Sequence, residues 1–330
     1  MRLVSFKIRD PVRPLPGINR VDWVDLRQER LDGILAGIVY DRSLNSFSSF
    51  GTLEWPHNDL VVVDLTSQPF ELSNDWAHNL GKLDLIASRL ATLDIDRCRV
   101  FESNQVSLGP PIVMPPKFMA VGLNYRDHIQ EMGAPLPEHL VWFSKAHTCV
   151  TGPFDPIKLP RVSDKVDYEG ELAIVIGKSS SNLTVAQAES VIAGYTVVND
   201  VSVRDWQSRS SQFTIGKGFD THGPIGPWIV TQDEVGDPAS LEIITRVNSE
   251  VRQKQSCSSM VFGCLEMVSE LSCAMTLEPG DIIATGTPAG VGTGFNPPKW
   301  LKPGDKVEVE ISSLGKISNR VVGPRKNMGK

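Results

Sequence analysis

The run Val166-Asp167-Tyr168-Glu169-Gly170-Glu171-Leu172-Ala173-Ile174-Val175-Ile176 sets two carboxylates two residues apart at the head of an apolar, β-branched segment. A strand alternates its side chains, so Glu169 and Glu171 share one face while Leu172, Ile174 and Ile176 take the other. Neighbouring carboxylates repel, and each resists desolvation unless a cation is present or one is protonated. A second apolar segment, Gly194-Tyr195-Thr196-Val197-Val198-Asn199, ends at Asp200, a third carboxylate at a strand terminus. Three oxygen anions with positions left for water and substrate suit Mg2+ or Mn2+. The alternative is a pair of solvent-facing glutamates on an edge strand.

Three further clusters carry reactive groups. On a short helix His128 and Glu131 are three residues apart, so the carboxylate can orient the imidazole and raise its basicity, a general-base arrangement. The alternative there is a surface hydrogen bond. Lys217 stands between Gly216 and Gly218 in a segment, 215–224, with neither helical nor strand period; a loop lysine can stabilise an enolate or carboxylate, or simply be solvated. The glycines of Ala284-Thr285-Gly286-Thr287-Pro288-Ala289-Gly290-Val291-Gly292 permit close backbone approach to a ligand, and they fit neither GxxxxGK[ST] nor GxGxxG. There is no GxSxG elbow and no HExxH, so a serine nucleophile and a zincin site recede.

The elements that must position these groups are mostly strands. Upstream, Gly37-Ile38-Val39-Tyr40 and residues 60–65 are strand-like, and residues 80–93 have the i, i+3, i+4 spacing of a helix. His57 and His78 lie there without partners at ligand spacing and read as isolated histidines. Gly109-Pro110-Pro111 and Pro115-Pro116 lack backbone donors and mark a boundary, dividing a small α+β module, 1–112, from a β-rich body, 113–330. Thr184 with Gln187 forms a capping box before a helix over 186–192, Ser202 with Asp205 forms another before Trp206, and residues 260–271 make a third helix. Leu277-Glu278-Pro279-Gly280-Asp281 and Leu301-Lys302-Pro303-Gly304-Asp305 repeat a Pro-Gly turn ahead of a β-branched run.

Composition narrows the function class. With 330 residues, 41% hydrophobic and 22% charged, the chain can bury a sizeable core unaided. A net charge of -6 with no cluster of five basic residues argues against nucleic acid or a membrane surface and for a small-molecule partner. Cys98, Cys149, Cys257, Cys264 and Cys273 are odd in number and contain no CxxC, which fits a reducing compartment. The opening Met1-Arg2-Leu3-Val4-Ser5-Phe6 lacks a secretory apolar region, and no stretch approaches a membrane span; the reading is cytoplasmic, with mitochondria the alternative.

Taken in order, these clusters resemble the fumarylacetoacetate hydrolase family, in particular its domain-containing branch of acylpyruvases, oxaloacetate decarboxylases and oxaloacetate tautomerases. The matching segments are Gly122-Leu123-Asn124-Tyr125 with His128 and Glu131, Phe143-Ser144-Lys145, residues 166–172, Asn199-Asp200-Val201-Ser202-Val203-Arg204-Asp205, residues 216–220, and residues 285–292. The resemblance covers roughly residues 115–322. It implies a mixed β-roll catalytic domain behind a small N-terminal α+β domain, usually a homodimer, with Mg2+, Mn2+ or Ca2+ held by Glu169, Glu171 and Asp200. His128 and Glu131 would be the water-activating dyad, and Arg204, Gln207, Lys217, Thr287 and Tyr125 would contact substrate. Substrates of such a family are acylpyruvates, fumarylacetoacetate, oxaloacetate and related oxo acids.

The common chemical step is an enolate, with charge developing on a 2-oxygen and Lys217 adding positive charge. Three outcomes follow from it: C–C hydrolysis by activated water, loss of carbon dioxide, or a proton shift between keto and enol forms. Hydrolysis of an acylpyruvate-like dioxo acid is favoured because the dyad is intact; oxaloacetate decarboxylation and tautomerisation are the alternatives. A non-catalytic metal-binding scaffold is the rival from another class.

Overall fold

The computed structural model describes residues 1–8, 35–41, 60–64, 79–90 and 100–324. His57, His78 and Cys98 lie outside them. All but two of the described strands belong to a twelve-stranded mixed sheet and a five-stranded sheet. The large sheet has the carboxylate-bearing Gly170–Ile176 strand near its middle, antiparallel to Ile192–Asn199 on one side and to Ile282–Ala284 on the other. Ile282–Ala284 then runs parallel to Phe118–Gly122, which leads into the His128 helix. In the small sheet Glu242–Val247 lies between Glu250–Ser256 and Lys306–Ile311.

Period-two patterning explains how the layers meet. Leu172, Ile174 and Ile176 pack with Ile243, Val309 and Ile317 of the small sheet in one core. The opposite face, Ala173 and Val175, packs with Phe118, Val198 and Ile282 in a second. Gly170 belongs to the inter-sheet face, and a Cβ there would lie 2.1 Å from Thr245 Oγ1, so the sheets close only over a glycine. At the other end, the first strand, Arg2–Ile8, pairs with Gly223–Thr231, Leu3 opposite Ile229. Hydrogen bonds therefore join the strands on either side of the Pro-rich segment into one sheet.

The helices differ in detail from their sequence signals. Residues 80–82 form a 3-10 turn followed by the Leu83–Leu90 helix. Thr184 does cap, its N–H donating to Gln187 Oε1 at 3.0 Å, but the helix is Val185–Ala188 with a 3-10 turn to Val191, and Ile192 opens a strand. Ser202 caps nothing: it lies in a strand, its hydroxyl donates to Asp200 O, and Asp205 accepts from Ser163, so the Arg204–Gln207 helix starts from Val203. The third helix begins later, at Cys264, because Met260 is held in a bridge to Tyr125 and Glu266 accepts from the Gly263 N–H. Residues 214–217, read as loop, form a helical turn that buries Lys217.

His222 locks the loop after Lys217. Its ring is fully buried, tilts against Phe219 at 5.5 Å and donates from Nε2 to Lys158 O at 3.1 Å. Burial pushes it down to about 3, against the carbonyl's pull upward and with Lys145 adding to the depression. A base whose folded value lies below its unfolded one binds fewer protons when folded. Its stabilisation is complete above about pH 6.5 and is lost as pH falls toward 3. Between pH 7 and pH 5 the loss is about 2 kcal/mol. Urea midpoints should fall over that interval, and His222→Gln should flatten the decline; an equally steep decline in the variant would assign the acid sensitivity elsewhere.

Candidate metal centre and active site

Antiparallel register builds the acidic cluster. Gly170 stands opposite Asn199, so the next residue along, Asp200, comes beside Glu169 and its N–H donates to Glu169 O at 2.8 Å. Asn199 Oδ1 accepts from the Glu169 N–H. Ligand oxygens of Glu169, Glu171 and Asp200 then lie within 4.8 Å of one another, all three residues buried. Glu171 is fixed by the Gly286 N–H at 2.8 Å; Gly286 has φ of 96°, a left-handed conformation that favours glycine, and a Cβ would meet Asn124 at 2.8 Å.

Three cations face these acids. Lys217 Nζ is 2.6 Å from both Glu169 Oε2 and Asp200 Oδ2, and 5.1 Å from the centre of the Phe143 ring. Lys145 Nζ donates to Asp200 Oδ1 at 2.5 Å and to Lys217 O. Arg204 reaches Glu169 with Nη1 at 2.6 Å and Asp167 with Nε at 2.9 Å. Burial alone would raise the Glu169 carboxyl, but Lys217 and then Arg204 overcome it and hold it down at about 2. Glu171 goes the other way: burial, Asp200 and Glu169 push it well above the usual carboxylate range, and Lys217 opposes them without prevailing.

That contrast tests whether a divalent cation fits. Four buried carboxylates, counting Asp167, face two buried lysines and the mostly buried Arg204, and the group left without compensation is Glu171. An all-oxygen set short of positive charge suits a hard divalent ion, and the residues that would hold it are Glu169, Glu171 and Asp200.

A cavity of about 570 Å3 opens onto the cluster. His128, Glu169, Glu171, Arg204, Gln207, Lys217 and Thr287 all line it. His128 Nδ1 lies 3.0 Å from Glu131 Oε2, and Glu131 Oε1 accepts from the Gly290 N–H, which ties the helix to the glycine-rich loop. Thr287 Oγ1 donates to Gly170 O and accepts from Gln253. Gln207 Oε1 accepts from Arg204 Nη1. Lys217 is 2% exposed, against the solvated state an isolated loop lysine would adopt, because three carboxylates surround its ammonium and raise its affinity for the proton despite burial.

Tyr125 is the candidate that the structure leaves off the cavity wall. It is fully buried, and its hydroxyl donates to Cys257 Sγ at 3.7 Å, because residue 125 starts the helix with its side chain turned into the core. Two residues of the site had no role in the sequence reading. Lys145 closes the run Val141-Trp142-Phe143-Ser144; its signals were its place in the family-matching Phe143-Ser144-Lys145 segment and its position at the end of an apolar strand. Asp167 is fully buried and accepts from the N–H groups of Tyr168, Gly292 and Thr293 as well as from Arg204; its neighbour Glu169 drew attention that Asp167 equally merited.

Comparison with known proteins identifies the family. A family profile described as fumarylacetoacetate (FAA) hydrolase C-terminal matches residues 117–322. The chain belongs to this family. An oxaloacetate tautomerase of Bacillus subtilis, YisK, is 47% identical over 226 residues, 67% of this chain and 75% of the relative. A mitochondrial oxaloacetate tautomerase of Rattus norvegicus is 45% identical over 277 residues, 82% and 88% of the two chains. Among solved structures, a maleylpyruvate hydrolase from Sphingobium sp. SYK-6 in complex with manganese (II) ion and pyruvate superposes with a TM-score of 0.72 at 28% identity, covering 98% of this chain and 100% of that one. The fold is thus the sheet-rich α+β architecture of fumarylacetoacetate hydrolase relatives. Among the described residues no helix is long and apolar enough to cross a membrane.

The raised Glu171 affinity for a proton gives a readout that needs no turnover. A cation held by this carboxylate must displace its proton. Calorimetric titration with Mn2+ should release protons, more of them as the pH is lowered, seen as an enthalpy that varies with the buffer's ionisation enthalpy. Glu171→Gln should bind more weakly and lose that variation. A buffer-independent enthalpy in the unmodified protein would contradict the charge assignment.

Proposed function

We propose that this member of the fumarylacetoacetate hydrolase family is a divalent-metal-dependent oxaloacetate tautomerase, using Mg2+ or Mn2+ held by Glu169, Glu171 and Asp200. The observation that supports it is a single cavity lined by Glu169 and Glu171 of this acidic cluster and by a histidine oriented by a glutamate. That constellation serves hydrolysis, decarboxylation and tautomerisation alike. The choice among them follows the relatives, two of which are named oxaloacetate tautomerases at 47% and 45% identity, so tautomerisation replaces the acylpyruvate hydrolysis favoured from the sequence. The homodimer and the cytoplasmic setting belong to the same proposal.

When bound, the cation supplies Lewis-acid polarisation of the 2-oxo group. The chain's own residues do the rest. With Nδ1–H donated to Glu131, His128 presents the basic Nε2 lone pair to the cavity and removes a proton from C3. Lys217 has two of its three N–H donors on Glu169 and Asp200, which leaves one for the oxygen on which charge develops. The enolate takes a proton back at the 2-oxygen, so no atom is gained or lost. Arg204, Gln207 and Thr287 position the substrate carboxylate and exclude water from that end of the cleft.

Freshly dissolved enol-rich oxaloacetate should lose its enol absorbance faster with the Mg2+-loaded protein, without formation of pyruvate. His128→Ala should lower kcat about 10^2 to 10^4-fold with metal still bound. Glu131→Gln should cost less, since the imidazole remains. Stoichiometric pyruvate would make the protein a decarboxylase, and cleavage of an acylpyruvate would restore the hydrolase reading.

A further inference from the structure

Oxaloacetate carries a second carboxylate, on C4, beyond the carbon that exchanges its proton. Productive binding at neutral pH needs a positive group for it, or at least no repulsion. The inner cations serve the buried end of the cleft, tied to its carboxylates: Arg204 with Asp167, Glu169 and Gln207, Lys217 with Glu169 and Asp200, and Lys145 with Asp200. One cation of the cavity lining is left. Lys165 is exposed at the rim, and among the described residues its ammonium has neither an ion pair nor a hydrogen bond.

Backbone geometry holds Lys165 next to the substrate-facing wall. Val166 pairs with Val203, so Lys165 comes opposite Arg204, whose N–H donates to Lys165 O at 3.0 Å. Residues directly opposite in an antiparallel pair have Cβ atoms about 5 Å apart, so the two basic side chains leave the backbone side by side. Arg204 turns inward to the carboxylates, and Lys165 remains exposed on the lining of the same cavity, which also includes Ser208 and Ser210. The other titratable group of this rim is Asp205, whose carboxylate accepts from Ser163 Oγ at 2.6 Å. Without Lys165, Asp205 would turn the rim negative and repel a dianion.

We propose that Lys165 is a specificity-determining residue that receives the distal carboxylate of a dicarboxylic 2-oxo acid, selecting such substrates over monocarboxylic ones. The identity of the substrate rests on the tautomerase reading; the preference for two carboxylates does not. The inner carboxylate and 2-oxo group lie at the buried end with Glu169, Glu171 and Lys217, and Lys165 closes the outer end with a solvent-screened ion pair.

The test uses the full-length Mg2+-loaded protein and two stable, non-enolising probes of matched configuration, malate and lactate, which differ by one carboxylate. For Lys165→Gln the calorimetric Kd of malate should rise about fivefold, as expected for one partly exposed charge pair, and that of lactate should not change. Lys165→Arg should restore malate binding, and Lys165→Glu should weaken it further, about tenfold or more. KM for oxaloacetate should follow malate, with kcat unchanged within about twofold. Equal shifts for both probes, or none for either, would overturn the proposal. Loss of the tautomerase reading looks different: the unmodified protein would fail to accelerate enol decay while malate and lactate still separated Lys165 from its variants. Lys165 is exposed, so each variant should keep the parent melting temperature.

Discussion

The buried charge imbalance around Glu169, Glu171 and Asp200 is the constraint on which the rest of the site depends. Burying several ionised groups together is tolerable only when their charges and hydrogen bonds are closed within the protein. Here Lys217, Lys145 and Arg204 close all but one carboxylate, and the remainder is concentrated on Glu171. With all four carboxylates ionised, a divalent cation would change the balance of Asp167 and the three candidate ligands against the three cations from one negative charge too many to one positive charge in excess. An anionic substrate then completes the compensation. Under the proposed function the same arrangement would let Lys217 be both a structural counter-ion and a donor to substrate: its ammonium has one more proton than it has fixed partners.

Backbone hydrogen bonds convert this electrostatic need into geometry. Asp200 sits beside Glu169 because the antiparallel register continues past Asn199. The glycine-rich loop serves both halves of the site, donating from Gly286 to Glu171 and from Gly290 to Glu131. Asp167 adds a third tie, holding Arg204 with one oxygen while the N–H groups of Gly292 and Thr293 converge on the same carboxylate. Moving this loop would therefore disturb the acid cluster, the His128–Glu131 pair and the Arg204 side chain together. Such coupling is what preorganisation requires of groups that must meet a reacting centre within fractions of an ångström.

The cavity also bears on specificity. At about 570 Å3 it is roomier than a four-carbon acid needs, and its outer wall includes Met132, Phe213 and Trp300 beside the polar rim. One fold can host different reactions by changing the residues of its site. The comparison with a maleylpyruvate hydrolase and with oxaloacetate tautomerases is of this kind, with the architecture shared and the named reactions different.

Sequence alone determined the local parts of this protein. Glu171 in the strand with Glu169 just ahead of it, and His128 with Glu131 on one helical face, follow from the period of a single element, so they can be read without knowing what packs where. The motif order was enough to locate the family over nearly the residues its profile matches. Only the tertiary structure decided the rest, because those features depend on contacts between segments far apart in the chain. The Lys145–Asp200 and Lys217–Glu169 pairs span 55 and 48 residues, and no local period brings them together. The burial of Lys217 comes from the same closure: its helical turn is only four residues long and is held in place by the carboxylates it neutralises and by Gly216 packed against Gln207. Ser202 illustrates the converse. Its spacing to Asp205 satisfied the local rule for a helix cap, but pairing with Asp167 across the chain drew it into a strand, and the non-local hydrogen bonds prevailed.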